Sequence, residues 1–332
     1  MGRESYDAIV IGGGHNGLVA AAYLARSGAR TLVLEQRGTV GGAATTEVPW
    51  PDAPQFKVTR LSYMMSLLPP TIARDLQLAK HGYKVFPMGP YYQAFPEGGS
   101  LTLYEEDSQR AYDEIAKWSK KDAAAYPKWN AWLGGLADFT ASPGAHLQEH
   151  HTGSVEMAPS MGYTERAFIE AREGRPATRP FSDGVIPTAF DKTLAPEGYH
   201  IMSLFTQWVP ATWNEEPHRD ELEKYADRVI GTYNEVAPNF KSAILHRDVV
   251  GPYDMEHDYG LIGGNIFHGE LSLEQLFHLR PAPGFADYRT PVRGLYYASS
   301  ATHAGGGVCG IPGMQAAKAA ISDRRKPRPR RA

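Results

Sequence analysis

The chain has a single cysteine, Cys309, so it forms no internal disulfide. That fits a reducing compartment. It has no apolar run approaching the ~20 residues that a membrane helix needs, and no transmembrane segment is expected. Neither sign of charge dominates: a net charge of −3 over 332 residues sets up no field for nucleic acid or an anionic membrane. The first strand is expected from Tyr6, which leaves no room for a signal peptide. Gly2 lacks the serine or threonine that a myristoylation pattern requires, since position 6 is Tyr. There is no internal repeat, no zinc spacing and no Ser/His/Asp order tied to a nucleophile elbow. These absences lead to the expectation of a cytoplasmic, soluble protein.

What is present begins with YDAIVIGGGHNGLVAAAYLARSGARTLVLEQ (6–36). Ala8 to Ile11 read as a short buried parallel strand. Leu18 to Ala25 are good helix formers, Gly28 stops the helix, and Thr31 to Leu34 form a second strand ending at Glu35. The turn between strand and helix has the spacing Gly12-x-Gly14-x-x-Gly17. Gly12 permits the tight turn, Gly14 lets a pyrophosphate approach the backbone, and Gly17 lets the helix pack on the sheet. The free N–H groups and positive dipole end of the helix favour the phosphates, with His15 and Asn16 lining that site. Glu35 is 21 residues beyond Gly14, where a carboxylate accepts hydrogen bonds from ribose hydroxyls and disfavours a 2′-phosphate. The turn alone does not choose between NAD and FAD.

The following residues, QRGTVGGAATT (36–46), carry a glycine pair, Gly41–Gly42. Together with the first turn they resemble the opening of the flavin-dependent phytoene desaturase and amine oxidase superfamily. RLSYMMSLLPPTIARDLQLAKHGYKV (60–85) resembles the segment that follows in phytoene-desaturase-like proteins. LIGGNIFHGELSLEQLFHLRPAPGFADYRTPVRGLYYASSATHAGGGVCGIPGMQAA (261–317) resembles their C-terminal flavin motif. The resemblance implies FAD as cofactor, with Gln36, Arg37, Gly41 and Gly42 near the nucleotide. It places His303, Gly306, Gly307 and Val308 near the flavin ring, whose pyrimidine end would face the helix from about Ile311 to Ile321. Gly294 to Ala298 read as a short buried strand before that helix. The family pattern has glycine where this chain has Ser299 and Ala301, and proline where it has Ala304.

Family members are considerably longer, so the resemblance also implies a missing middle segment, with the join near WLGGLADF (132–139). The expected fold is α/β: a Rossmann-like FAD-binding parallel sheet with a mixed α+β substrate domain. The expected FAD-binding domain is discontinuous, 1–60 and 261–322, with a substrate or cap region over 61–260. The segment 323–332, with six Lys or Arg and two prolines, is expected to be a disordered tail. Strands are expected within 199–209 and 242–250, and a helix over 218–237 with Leu222, Tyr225, Val229, Ile230 and Tyr233 on its apolar face. A sheet short of strands would expose apolar surface, which a homodimer is one way to cover.

No acid–base pair or metal cluster stands out. His146, His150 and His151 cluster between glycines and prolines, which reads as a loop rather than a metal helix. His268 and His303 fall in segments expected near the flavin, and no catalytic residue is assigned. A flavin takes a hydride from a C–H bond directly, so the expected reaction is hydride transfer from an apolar or amine-bearing small molecule. Two other readings stay open: an NAD-dependent dehydrogenase, and a shortened remnant without activity.

Overall fold

The computed structural model describes residues 5–104, 107–134 and 152–325. In chain order the strands and helices are β1 (Ala8–Ile11), α1 (His15–Arg26), β2 (Thr31–Leu34), β3 (Thr46–Glu47), β4 (Val58–Thr59), α2 (Pro70–Asp75), β5 (Tyr91–Ala94), β6 (Ser100–Leu103), α3 (Ser108–Ala116) and α4 (Lys120–Gly134). They continue as β7 (Ser154–Met157), α5 (Met161–Arg172), β8 (Phe181–Val185), β9 (Ser203–Gln207), α6 (Arg219–Val236), α7 (Phe240–Ala243), α8 (Pro252–Tyr259) and α9 (Ile311–Arg325). The chain divides into two compact units. The first contains residues 1–46, 59–84 and 255–332, the second 47–58 and 85–254. The histidine cluster 146–151, the far side of the join at 132–139 and most of the basic tail lie outside the described residues.

The first unit is built on the β1–α1–β2 crossover. β1 and β2 pair in parallel, from Ala8 opposite Thr31 to Ile11 opposite Leu34. Val10, Ala20, Ala21, Leu24, Ala29 and Ala317 form its core. The alanines keep both helices slim, so α9 packs closely along α1. A Cβ on Gly313 would lie 2.0 Å from the Asn16 carbonyl oxygen, so only glycine allows this approach. The opposite face of the sheet is bare: Ile9, Ile11 and Leu34 are 58%, 84% and 48% exposed. The apolar exposure expected of a sheet short of strands is therefore present.

The second unit has a five-stranded mixed sheet, β6-β5-β7-β8-β9, in which only β5 and β7 run parallel. α6 lays Tyr225, Val229 and Tyr233 onto Met157, Ala167 and Ala177. All five residues expected on its apolar face are buried. The buried Tyr233 hydroxyl accepts from Ser182 Oγ (2.9 Å) and donates to the Val155 carbonyl (3.2 Å), so its polar end carries little desolvation cost.

Two expected strands are absent. Residues 294–298 contain only an isolated antiparallel bridge, Arg289 with Tyr296. Tyr297 N donates to Tyr288 O at 2.8 Å and Thr290 N to Leu295 O at 3.3 Å. Local pairing thus satisfies the backbone where a neighbouring parallel strand would otherwise have to. Residues 244–250 are also irregular. Arg247 reaches Glu223 and Asp227 at 2.5 and 2.6 Å, so the segment follows successive turns of α6 instead of entering the sheet. Among the described residues, no helix is long and apolar enough to cross a membrane.

Candidate functional site

The first unit brings the glycine motifs together. The Gly12 N–H donates to Leu34 O at 2.8 Å, ending β1 against β2, and Gly12 turns with φ +95°. Gly14 is the N-cap of α1 and, having no side chain, places no cap of its own on the first-turn N–H groups. A Cβ on Gly17 would fall 2.0 Å from Gly12 O, whereas one on Gly14 would meet nothing nearer than Gly42 Cα at 3.9 Å. Gly17 is therefore required by packing, and Gly14 leaves open space. The second glycine pair lies directly on the first turn: Gly41 N donates to Gly13 O at 2.8 Å, and Gly41 bridges Gly14 in parallel.

Glu35 stands at the end of β2. One carboxylate oxygen accepts from Gly13 N (2.6 Å), the other from Arg37 N (2.9 Å). Those bonds, the Arg37 N–H foremost, hold its pKa below the usual range. Arg37 donates to Gly42 O at 3.2 Å and lies 4.5 Å above the Tyr259 ring. Gln36 is exposed.

The C-terminal loop reaches the same place. His15 Nε2 donates to Gly307 O at 3.1 Å, and Asn16 Nδ2 to Ser300 Oγ at 2.9 Å. Asn16 is buried, and its Oδ1 has no partner among the described residues. Gly306 packs on residues 266–267, where a Cβ would lie 2.6 Å from Phe267 Cα. Ser299, one of the departures from the family pattern, accepts from Ala301 N at 3.1 Å and so stabilises the turn in its own way.

A cleft of about 200 Å³ opens between these segments. Its walls are largely apolar, with Leu61, Met64, Leu67, Leu261, Ile266 and Phe267 among them; His15, His268, Ser300, Gly307 and Val308 also line it. Burial is the main cause holding both histidines below their ordinary pKa, so they stand neutral at pH 7. His303 does not line the cleft. Sequence reasoning missed Arg280, which is buried beside the loop (2% exposed); an arginine followed by proline in an otherwise unpatterned stretch gave no signal.

The family model for NAD(P)-binding Rossmann-like domains matches residues 10–85. The β1–α1–β2 unit in this part of the chain is thus Rossmann-like. This Rossmann-like chain is similar to the rat (Rattus norvegicus) pyridine nucleotide-disulfide oxidoreductase domain-containing protein 2. The two are 27% identical over 549 residues, covering 97% of this chain and 94% of the relative. That span exceeds the 332 residues of this chain by more than two hundred. With nearly all of both proteins covered, the difference is an internal gap, as the resemblance implies. A limonene dehydrogenase polypeptide of Castellaniella defragrans is 33% identical over 176 residues, covering 51% of this chain and 30% of that protein. A solved putrescine oxidase bound to putrescine is 20% identical, covers 33% of this chain and 25% of its own, and has a TM-score of 0.23. Over these spans the chain is similar to FAD/NAD(P)-binding oxidoreductases.

Proposed function

We propose that this protein is an FAD-dependent oxidoreductase that takes a hydride from an apolar organic substrate. The observation that carries the reading is the apposition of three segments distant in sequence: the Gly12–Gly17 turn, the Gly41–Gly42 pair and the loop before α9. A nicotinamide site needs only the first. The residues fit the group: Gly14 leaves an open approach, the first turn of α1 offers its N–H groups, and Asn16 keeps a buried acceptor unused.

In this reading the α1 N-terminus would hold the pyrophosphate, Glu35 would accept from ribose hydroxyls, and Gly307 and Val308, which line the cleft, would lie on the ring side. Bound FAD supplies the hydride acceptor. The protein excludes water with Leu61, Met64, Leu67 and Phe267 and presents the substrate C–H bond to the ring. Neutral His15 and His268 add no charge that would repel or trap an apolar molecule. Reoxidation falls to oxygen, a quinone or a similar acceptor.

The bare β1–β2 face favours a second reading, a remnant that no longer holds flavin. Purification, denaturation and measurement of released flavin separate them. Near one FAD per chain supports the oxidoreductase. A folded sample that takes up none with excess FAD overturns it, and uptake of NAD alone supports a nicotinamide dehydrogenase.

A further inference from the structure

Arg280 is the largest fully buried side chain among the described residues. Its Nε donates to Ala301 O at 3.3 Å and Nη2 donates to Phe267 O, while Nη1 is buried without a partner among the described residues. Nη1 faces Gly305, where a Cβ would sit 3.8 Å away. No ion pair among the described residues includes Arg280. Two carbonyl oxygens are a thin replacement for hydration, and an unpaired buried charge costs several kcal/mol. The effect reaches a neighbour, since the guanidinium adds to burial in keeping His268 uncharged. A strut between residues 267 and 301 would need only hydrogen bonds, which a neutral side chain also makes. The retained charge therefore calls for an anion, and the backbone around it belongs to the loop between Ser300 and Gly307, both of which line the cleft that the FAD reading gives to the ring.

We propose that Arg280 is a positioning residue that acts through the 301–305 backbone, biasing a flavin held at this loop toward its reduced, anionic state. The inference rests on the FAD reading above. Hydride transfer breaks a substrate C–H bond and adds one proton and two electrons to a neutral ring. The ring then carries one negative charge, and the oxidised substrate carries the compensating positive charge until it releases a proton. A fixed positive charge stabilises the reduced ring and leaves the neutral oxidised ring nearly unaffected.

The test uses the full chain reconstituted with FAD, as wild type, R280K and R280M. Bound flavin is quantified first, and its reduction potential is then measured against reference dyes during slow chemical reduction. The expected result is near one FAD per chain in all three, with R280K close to wild type. R280M should favour the oxidised form tenfold to a hundredfold, a fall of about 30 to 60 mV for a two-electron couple. Equivalently, the R280M change should weaken reduced-flavin binding far more than oxidised-flavin binding, whereas loss of a mere strut weakens both alike. If R280M does not fold, R280Q against R280K makes the same comparison. Equal potentials across the variants, with flavin bound, overturn the role of Arg280 and leave the FAD reading standing. A folded wild-type protein that binds no flavin overturns both.

Discussion

Two sheets in this molecule each pack helices on one face, and they treat the other face in opposite ways. In the five-stranded sheet the face away from α6 carries a polar row. Gln93, Glu156 and Asp183 lie side by side across β5, β7 and β8, and Ser154 Oγ bonds both acids. In the two-stranded sheet the face away from α1 and α9 carries Ile9, Ile11 and Leu34, all exposed. Polar residues on one side mark a sheet with one wet face; apolar residues on both sides mark a parallel sheet meant to be covered twice. The first sheet thus has the two-sided apolar pattern of a sheet covered on both faces, while the chain lacks more than two hundred residues of its rat relative's span.

The comparison is broken most forcefully by deleting apolar atoms on each side. Met157→Ala, beneath α6, should cost about 2–5 kcal/mol. Ile11→Thr, at 84% exposure, should cost less than about 0.5 kcal/mol. Chemical denaturation of both variants checks this. An Ile11→Thr cost above about 2 kcal/mol would show that the face is covered in solution, and concentration dependence of that cost would identify a second copy as the cover. Next in size is Gly17→Ala. Its Cβ would fall 2.0 Å from Gly12 O, so turn and helix must separate, at about 1–3 kcal/mol. The loss should appear in the first unit's unfolding transition and leave the second unit's unchanged.

The polar row makes a pH prediction. Burial first, and the neighbouring Asp183 charge, push Glu156 up to about 7. The folded state therefore holds a proton that the unfolded chain releases near 4.5. Stability is greatest below that value and falls as pH rises toward 7. Glu156 is partly solvated, so after screening the effect is about 1–2 kcal/mol. Glu156→Gln should flatten the stability profile between pH 4.5 and 7. An unchanged slope would assign the titration to another group.

The parts legible in the sequence are those whose signal is local. Ala8–Ile11, the glycine turn and Thr31–Leu34 each report their own conformation, and the apolar spacing of Leu222 to Tyr233 locates the buried face of α6. Residues 294–298 and 242–250 also carry apolar residues but are not strands. A run becomes a strand only if a partner edge is available, and the partners here are the 288–290 backbone and the acids of α6. The apposition of Gly41–Gly42 with Gly13–Gly14 was legible as a pair of motifs, though not as a contact. Arg280 left no trace because its role depends on carbonyls from Phe267 and Ala301, brought together only by the fold.

The smallest effect on stability separates a glycine kept for packing from one kept for a ligand. Gly14 sits at the N-cap of α1 with φ −68° and ψ 172°, a conformation open to any residue. A Cβ there makes only an ordinary 3.9 Å contact with Gly42 Cα. Serine is a better N-cap than glycine by a few tenths of a kcal/mol. Gly14→Ser should therefore fold with equal or slightly raised stability, in contrast to Gly17→Ala. Its side chain would nevertheless occupy the backbone approach that a pyrophosphate needs, so FAD affinity should fall at least about tenfold. Titration of the apoprotein with FAD, followed by flavin fluorescence beside a thermal melt, reads both quantities on one sample. Full affinity in a stable Gly14→Ser protein would mean that no phosphate approaches this turn, and the nucleotide would have to be sought away from the α1 N-terminus.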